Sequence, residues 1–201
     1  MAKQITLGDF KHALANLDCK LQELPAVEHS GFPIAIRAIG GFALMYHNVR
    51  VSAITSDIDT VTVDYSPAVE NAIKEVSNEL GIANDWLNNY NVIENDVKTI
   101  EAMLMPRWDK SDWEFNNIEL SVANLETLFR SKLIAADDDR LTDRAQDYPD
   151  LLAICVALGC DSIDEVVEQC EVMDIDLQNE YPWSYERLQK DIKHAYKNFH
   201  Y

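Results

Sequence analysis

Apolar positions in this chain fall into two periods, and the two alternate through the first 125 residues. Leu7, Phe10, Leu14, Leu17 and Leu21 recur at spacings of three and four, which predicts one amphipathic helix ending near Leu24-Pro25. A loop with Gly31 and Pro33 follows. Ile34 to Ile39 then reads as a short strand, broken by Gly40-Gly41, after which Phe42 to His47 makes a brief helix. From Ile54 to Val63 acidic and hydroxylic residues alternate with Ile58, Val61 and Val63, which predicts a second strand.

Pro67 suits the first turn of a helix whose apolar face is Val69, Ile73, Val76 and Leu80, closed by Gly81. The Asn-rich stretch from Asn84 to Asn95 reads as loop or frayed helix. Two further strands are expected over Thr99 to Met105 and Trp113 to Val122, joined through Pro106 and Asp109-Lys110-Ser111. Beyond Asn124 the period becomes helical: Leu125 to Ala135, Tyr148 to Leu158, Ser162 to Cys170 and Ser184 to Asn198. The expectation is an α+β fold, a small mixed sheet flanked by helices. Residues 1–135 would form its core, and 136–201 a C-terminal helical extension packed on it.

At 201 residues, 47% apolar and 26% charged, the composition is that of a globular protein. The longest apolar stretch, Leu151 to Cys160, is about half of the roughly 20 residues a membrane-spanning helix needs. Met-Ala-Lys-Gln-Ile-Thr at the start lacks the apolar core of a signal peptide, so a cytoplasmic location without membrane contact is expected. Cys19, Cys155, Cys160 and Cys170 show no metal-site spacing and are expected to be free thiols.

The net charge of −18 disfavours non-specific nucleic-acid binding, because a uniformly acidic surface repels phosphate backbones. Much of that charge lies in Asp137-Asp138-Asp139 and between Asp161 and Asp176, runs that ordinarily mark solvated helix faces. A basic protein partner is the functional alternative for them.

Candidate chemistry concentrates between Ala38 and Val63. A glycine pair between strand and helix lets backbone amides approach an anion closely. Asp57 and Asp59, two apart in a strand, send both carboxylates to the same face. Two carboxylates so close repel unless a divalent cation lies between them, and oxygen-only ligation suits magnesium or manganese. A phosphate cradle beside such a pair is the apparatus of phosphoryl or nucleotidyl transfer. Asp-x-Asp and Gly-Gly each arise often by chance; their order and spacing here are the more specific signal. No G-x-x-x-x-G-K-[ST], G-x-G-x-x-G or G-x-S-x-G motif is present.

This segment resembles the signature of the nucleotidyltransferase superfamily: an apolar residue, Gly-Gly, a short helix, then acid-apolar-acid on the next strand. The stretches Leu125 to Ala135 and Arg144 to Ile154 are similar to the Lys-Leu-x-Ala and Arg-x-x-Asp-x-x-Asp-Leu patterns of the AbiEii abortive-infection toxins. The resemblance implies that Gly40 and Gly41 contact the triphosphate of an NTP substrate and that Asp57 and Asp59 bind magnesium or manganese. It implies that Lys132 faces the nucleotide, and that Asp147 lies near the same site. A solvated helix lysine and a helix-capping aspartate are the ordinary alternatives for these last two. The superfamily's third carboxylate, on a later strand, would be Glu119, in Ile118-Glu-Leu120, with Glu101 as rival.

The implied activity is magnesium-dependent transfer of a nucleoside monophosphate to an acceptor hydroxyl. The charge of −18 favours a small acceptor over RNA. The other reading is a catalytically weak toxin–antitoxin or protein-binding module, whose acidic tail docks a cognate antitoxin or another basic partner.

Overall fold

A computed structural model describes residues 5–25, 33–50, 54–61, 65–89, 104–137 and 146–199. The described residues form an α+β fold with a five-stranded mixed sheet and eight helices. They divide into two compact units, Met1–Tyr46 with Ser52–Asn124, and His47–Val51 with Leu125–Tyr201. The helix that begins at Leu125 therefore belongs to the second unit, where the sequence pattern had kept it with the sheet. The lone segment His47–Val51 joins it there. No sequence period marks either assignment.

In the first unit, α1 (Leu7–Gln22) opens with a capping box, Thr6 accepting from the Asp9 amide while Asp9 accepts from the Thr6 amide. Its apolar face is buried through Phe10, Leu14, Leu17 and Leu21. The sheet order is β3-β2-β1-β5-β4, from β1 (Ile34–Ile39), β2 (Ile58–Thr60), β3 (Leu87–Asn88), β4 (Trp108–Lys110) and β5 (Ile118–Ala123). β1 runs parallel to β5 and antiparallel to β2; β2 is parallel to β3, and β4 antiparallel to β5. Alternation holds in β1, where Ile34, Ile36 and Ala38 are buried and Ala35 and Arg37 exposed. One face of the sheet thus supplies core and the other carries polar side chains.

Helix α3 (Pro67–Leu80) is bounded as its sequence predicts. Ser66 caps it, Pro67 occupies the first turn, and Gly81 closes it with φ +61°. The strand expected over Ile54 to Val63 is shorter, Ile58–Thr60. Ahead of it Thr55 pairs with Ile5, and residues 62–64 lie outside the described residues. The strand expected over Thr99 to Met105 lies mostly outside them too, as do Glu101, Asp138, Asp139 and Arg144.

In the second unit, α4 (Leu125–Asp137) packs on α5 (Asp147–Ala157), followed by α6 (Ile163–Val172), α7 (Leu177–Glu180) and α8 (Pro182–Phe199). α5 is buried on nearly every side, through Tyr148, Leu151, Ala153, Ile154, Cys155 and Val156. The acidic run behaves as a solvated face: Asp161, Asp164, Glu165, Glu168, Glu171, Asp174 and Asp176 are all exposed. Asp137 accepts from the Ser184 amide at 2.8 Å near the start of α8, and the Arg187 guanidinium lies 3.4 Å from the Tyr148 ring centre. No described helix is long and apolar enough to cross a membrane.

The four cysteines are free. Burial pushes the Cys160 thiol up to about 11, the Cys170 thiol up to about 12, and Cys155 well above the usual thiol range. Raised thiol values favour the neutral form. The stability they contribute is complete below the unfolded value of about 8.5 and is lost as pH rises through the folded ones. At pH 8 iodoacetamide is expected to modify only exposed Cys19 in the native protein and all four thiols in urea, read by mass spectrometry. Rapid native labelling of Cys155 would contradict this packing.

Candidate active site

The first unit brings together the glycine turn and the acid pair. β1 and β2 pair antiparallel with Ile39 opposite Asp59, so the end of β1, where the chain turns into α2 (Gly40–Tyr46), lies beside that carboxylate. Gly40 has φ +69°, a left-handed conformation open to glycine. A Cβ added there would meet Asp59 Oδ2 at 2.7 Å. The backbone conformation favours glycine at this position, and a larger residue would push the Asp59 carboxylate aside. Gly40→Ala is expected to lower stability by about 1–2 kcal/mol from the conformation alone. It also displaces Asp59. Urea denaturation checks this, and a wild-type midpoint would contradict the geometry.

α2 itself is held by aromatic packing. Phe42 is fully buried, with ring centres of Phe10 and Trp113 at 5.4 and 6.0 Å. Tyr46 Oη donates to Asp112 Oδ1 at 2.7 Å and accepts from the Asp112 amide at 3.0 Å.

Asp57 and Asp59 flank Ile58, whose side chain is fully buried, and both are half-buried on the other side of β2. Asp57 accepts at both oxygens: Ser56 Oγ donates to Oδ1 at 3.1 Å, and Asn88 Nδ2 to Oδ2 at 3.2 Å. A carboxylate oxygen can accept from more than one partner, so these bonds are compatible with a cation at the same group. The donor set fits magnesium or manganese, which takes one or two carboxylates and fills its remaining positions with water and phosphate. Among the described residues no group of three or more His, Cys, Asp or Glu side chains is placed to hold a metal. The remaining ligands of an ion at this pair would thus come from substrate and water.

No family model, no curated protein and no solved structure matches the chain.

Glu119 does not join the pair. It lies on β5 opposite Ala35, whereas Asp59 lies opposite Ile39, four residues further along β1. At about 3.3 Å per residue and 4.8 Å per strand, the two Cα positions are roughly 16 Å apart. Both face the same side of the sheet, but the register separates them. The apolar-acid-apolar pattern around Glu119 specified the face and carried no information on register. Glu119 is exposed, and its role as third carboxylate is withdrawn.

Lys132 and Asp147 do come together, inside the second unit. Lys132 Nζ donates to Asp147 Oδ1 at 2.6 Å and lies 3.0 Å from Asp150 Oδ2. Arg50 Nε is 3.9 Å from Asp150 Oδ1, which also accepts from Gln146 Nε2 at 3.2 Å. The Asp150 side chain is 0% exposed, that of Asp147 9% and that of Lys132 11%. Lys132 is therefore not a solvated helix lysine. Asp147 is the first residue of α5 rather than its cap, and its carboxylate goes to the lysine. Two basic and two acidic side chains lie together here, and removing one of them would leave a buried partner without its ion pair.

Asn88, Asp150 and Arg50 were not singled out from sequence. Asn88 had one faint signal, its place after the apolar doublet Trp86-Leu87. Arg50 carries no sequence signal, and Asp150 is marked only as the second Asp of Arg-x-x-Asp-x-x-Asp-Leu.

Proposed function

We propose that the first unit is a nucleotidyltransferase core that moves a nucleoside monophosphate from an NTP to an acceptor hydroxyl. The observation that carries this reading is the close approach of Asp59 to Gly40, where an added Cβ would meet Asp59 Oδ2 at 2.7 Å. A glycine turn that can accept an anion, next to an acid that can hold a divalent cation, supports it.

In this reading Asp57 and Asp59 hold magnesium, and the amides of Gly40 and Gly41 face the phosphates that leave. The cation supplies charge neutralisation at the triphosphate. Ser56 and Asn88 donate to the Asp57 carboxylate and fix its direction toward the cation. The acceptor oxygen forms a bond to Pα as the Pα–O bond to the β-phosphate breaks. Pyrophosphate departs and the hydroxyl proton passes to solvent. A net charge of −18 favours a small hydroxylated acceptor over RNA.

Incubation with α-labelled and γ-labelled NTPs and a panel of RNA and small-molecule acceptors tests the proposal. Label from the α position should appear on one acceptor class with release of pyrophosphate. Release of inorganic phosphate alone, or no turnover with any acceptor, would sink it.

The separation of Glu119 from the pair favours one other reading, a nucleotidyltransferase-like module that binds a partner without turnover. The exposed acids of α6 would then receive a basic protein such as a cognate antitoxin. Magnesium-dependent NTP binding by calorimetry with no turnover is its signature.

A further inference from the structure

We infer that Asn88 is a positioning residue for the metal-binding acid, acting through Asp57; this rests on the nucleotidyltransferase reading above. Asn88 is 8% exposed, and its Nδ2 donates both to Asp57 Oδ2 and to the Asp85 carbonyl, each at 3.2 Å. A buried amide that uses one NH2 group on a carboxylate and on its own strand's turn has a defined direction. The Asp57 oxygen it touches takes that direction from it.

The support behind Asn88 is rigid. Trp86 is fully buried and its Nε1 donates to the Ile73 carbonyl of α3 at 3.2 Å. The Trp86 carbonyl accepts from the Ile58 amide at 2.7 Å, and Asp59 pairs with Asn88 in the parallel β2–β3 ladder. From the core side, Thr60 Oγ1 donates to the Asn88 carbonyl at 2.7 Å. A two-residue strand contributes little to the sheet by itself. Its place at the edge beside β2 delivers one amide to one carboxylate.

The amide suits this task better than the alternatives. A carboxylate at position 88 would repel Asp57, and an ammonium would compete with the cation for it. A neutral donor orients the acid and leaves its charge available to the metal. Hydrogen-bonding partners behind metal ligands are worth about 10–100-fold in metal affinity.

Mn2+ is the probe, with affinity measured by electron paramagnetic resonance on the full chain, alone and with a non-hydrolysable NTP. Asn88→Leu keeps the branched shape and removes the donor; Asn88→Ala removes the donor with less demand on packing. Ser77→Ala is the matched control. Ser77 is fully buried and bonded to Asn84 and the Lys74 carbonyl, without touching Asp57. Both Asn88 variants are expected to weaken Mn2+ binding about tenfold or more, and Ser77→Ala less than about twofold. Wild-type affinity in an Asn88 variant, or equal weakening in Ser77→Ala, overturns the positioning role. Failure of the underlying reading shows differently: the wild-type protein would bind no Mn2+ that Asp57→Asn removes, and both inferences would fall together.

Discussion

Replacing Asp57 and Asp59 together by Asn is expected to reduce NTP turnover by about a thousandfold or more while leaving the far-ultraviolet circular dichroism spectrum unchanged. The magnitude is that of losing preorganised charge stabilisation at a reacting phosphate. The intact fold follows from where the two side chains lie. Both are half-buried on the polar side of β2, and the core contact of that strand is made by Ile58. Asn keeps the volume; its one carbonyl oxygen can accept from Asn88, and its NH2 can donate to Ser56 Oγ. Neutralising the pair removes mutual repulsion as well, so thermal stability should hold or rise slightly. Turnover within tenfold of wild type in the folded double variant would remove these residues from the chemistry.

The second large effect is on stability and belongs to the other unit. Lys132→Met should cost about 3–5 kcal/mol in urea denaturation, the range for breaking a buried ion pair by removing one partner. Two carboxylates 9% and 0% exposed would lose the ammonium between them. Arg50, 3.9 Å from Asp150, cannot replace a contact of 2.6 Å to Asp147. The same substitution made together with Asp147→Asn should cost markedly less, because Asp150 then keeps Arg50 as its partner and no buried charge is left alone. A loss below about 1 kcal/mol for Lys132→Met alone would show that the cluster is hydrated and contributes little.

The sequence was most legible where local punctuation agreed with the period. Pro67 and Gly81 bounded α3 to the residue, and Ile34 to Ile39 read correctly as a strand between Pro33 and the glycine pair. β3 and β4 were not legible. Leu87–Asn88 is too short to show alternation, and Trp108–Lys110 carries a half-buried and two exposed residues, the composition of a connecting loop. Each exists because it pairs with a neighbouring strand, a tertiary fact. Asp18 shows the same limit. It sits in an ordinary helical pattern, yet it is buried to accept from the Asn116 and Asn117 amides at 3.1 and 2.6 Å.

At the candidate site, spacing sufficed for what depends on one strand and one turn: Gly40 lies beside Asp59 because β1 ends where β2 begins to pair, with Ile39 opposite Asp59. Glu119 required the register of a third strand, and the pattern did not contain it. Lys132 and Asp147 were linked through the resemblance to the AbiEii toxins; Asp150 is the second Asp of the same Arg-x-x-Asp-x-x-Asp-Leu pattern, which by itself did not show that it is buried beside Lys132.

The most direct measurement is a crystal structure of the protein with Mn2+ and a non-hydrolysable NTP, with the metal located by anomalous scattering. The account predicts an anomalous peak bonded to oxygens of both Asp57 and Asp59 at roughly 2.1–2.2 Å, with phosphate oxygens against the Gly40 and Gly41 amides. A peak elsewhere, or nucleotide bound away from β2, would contradict it.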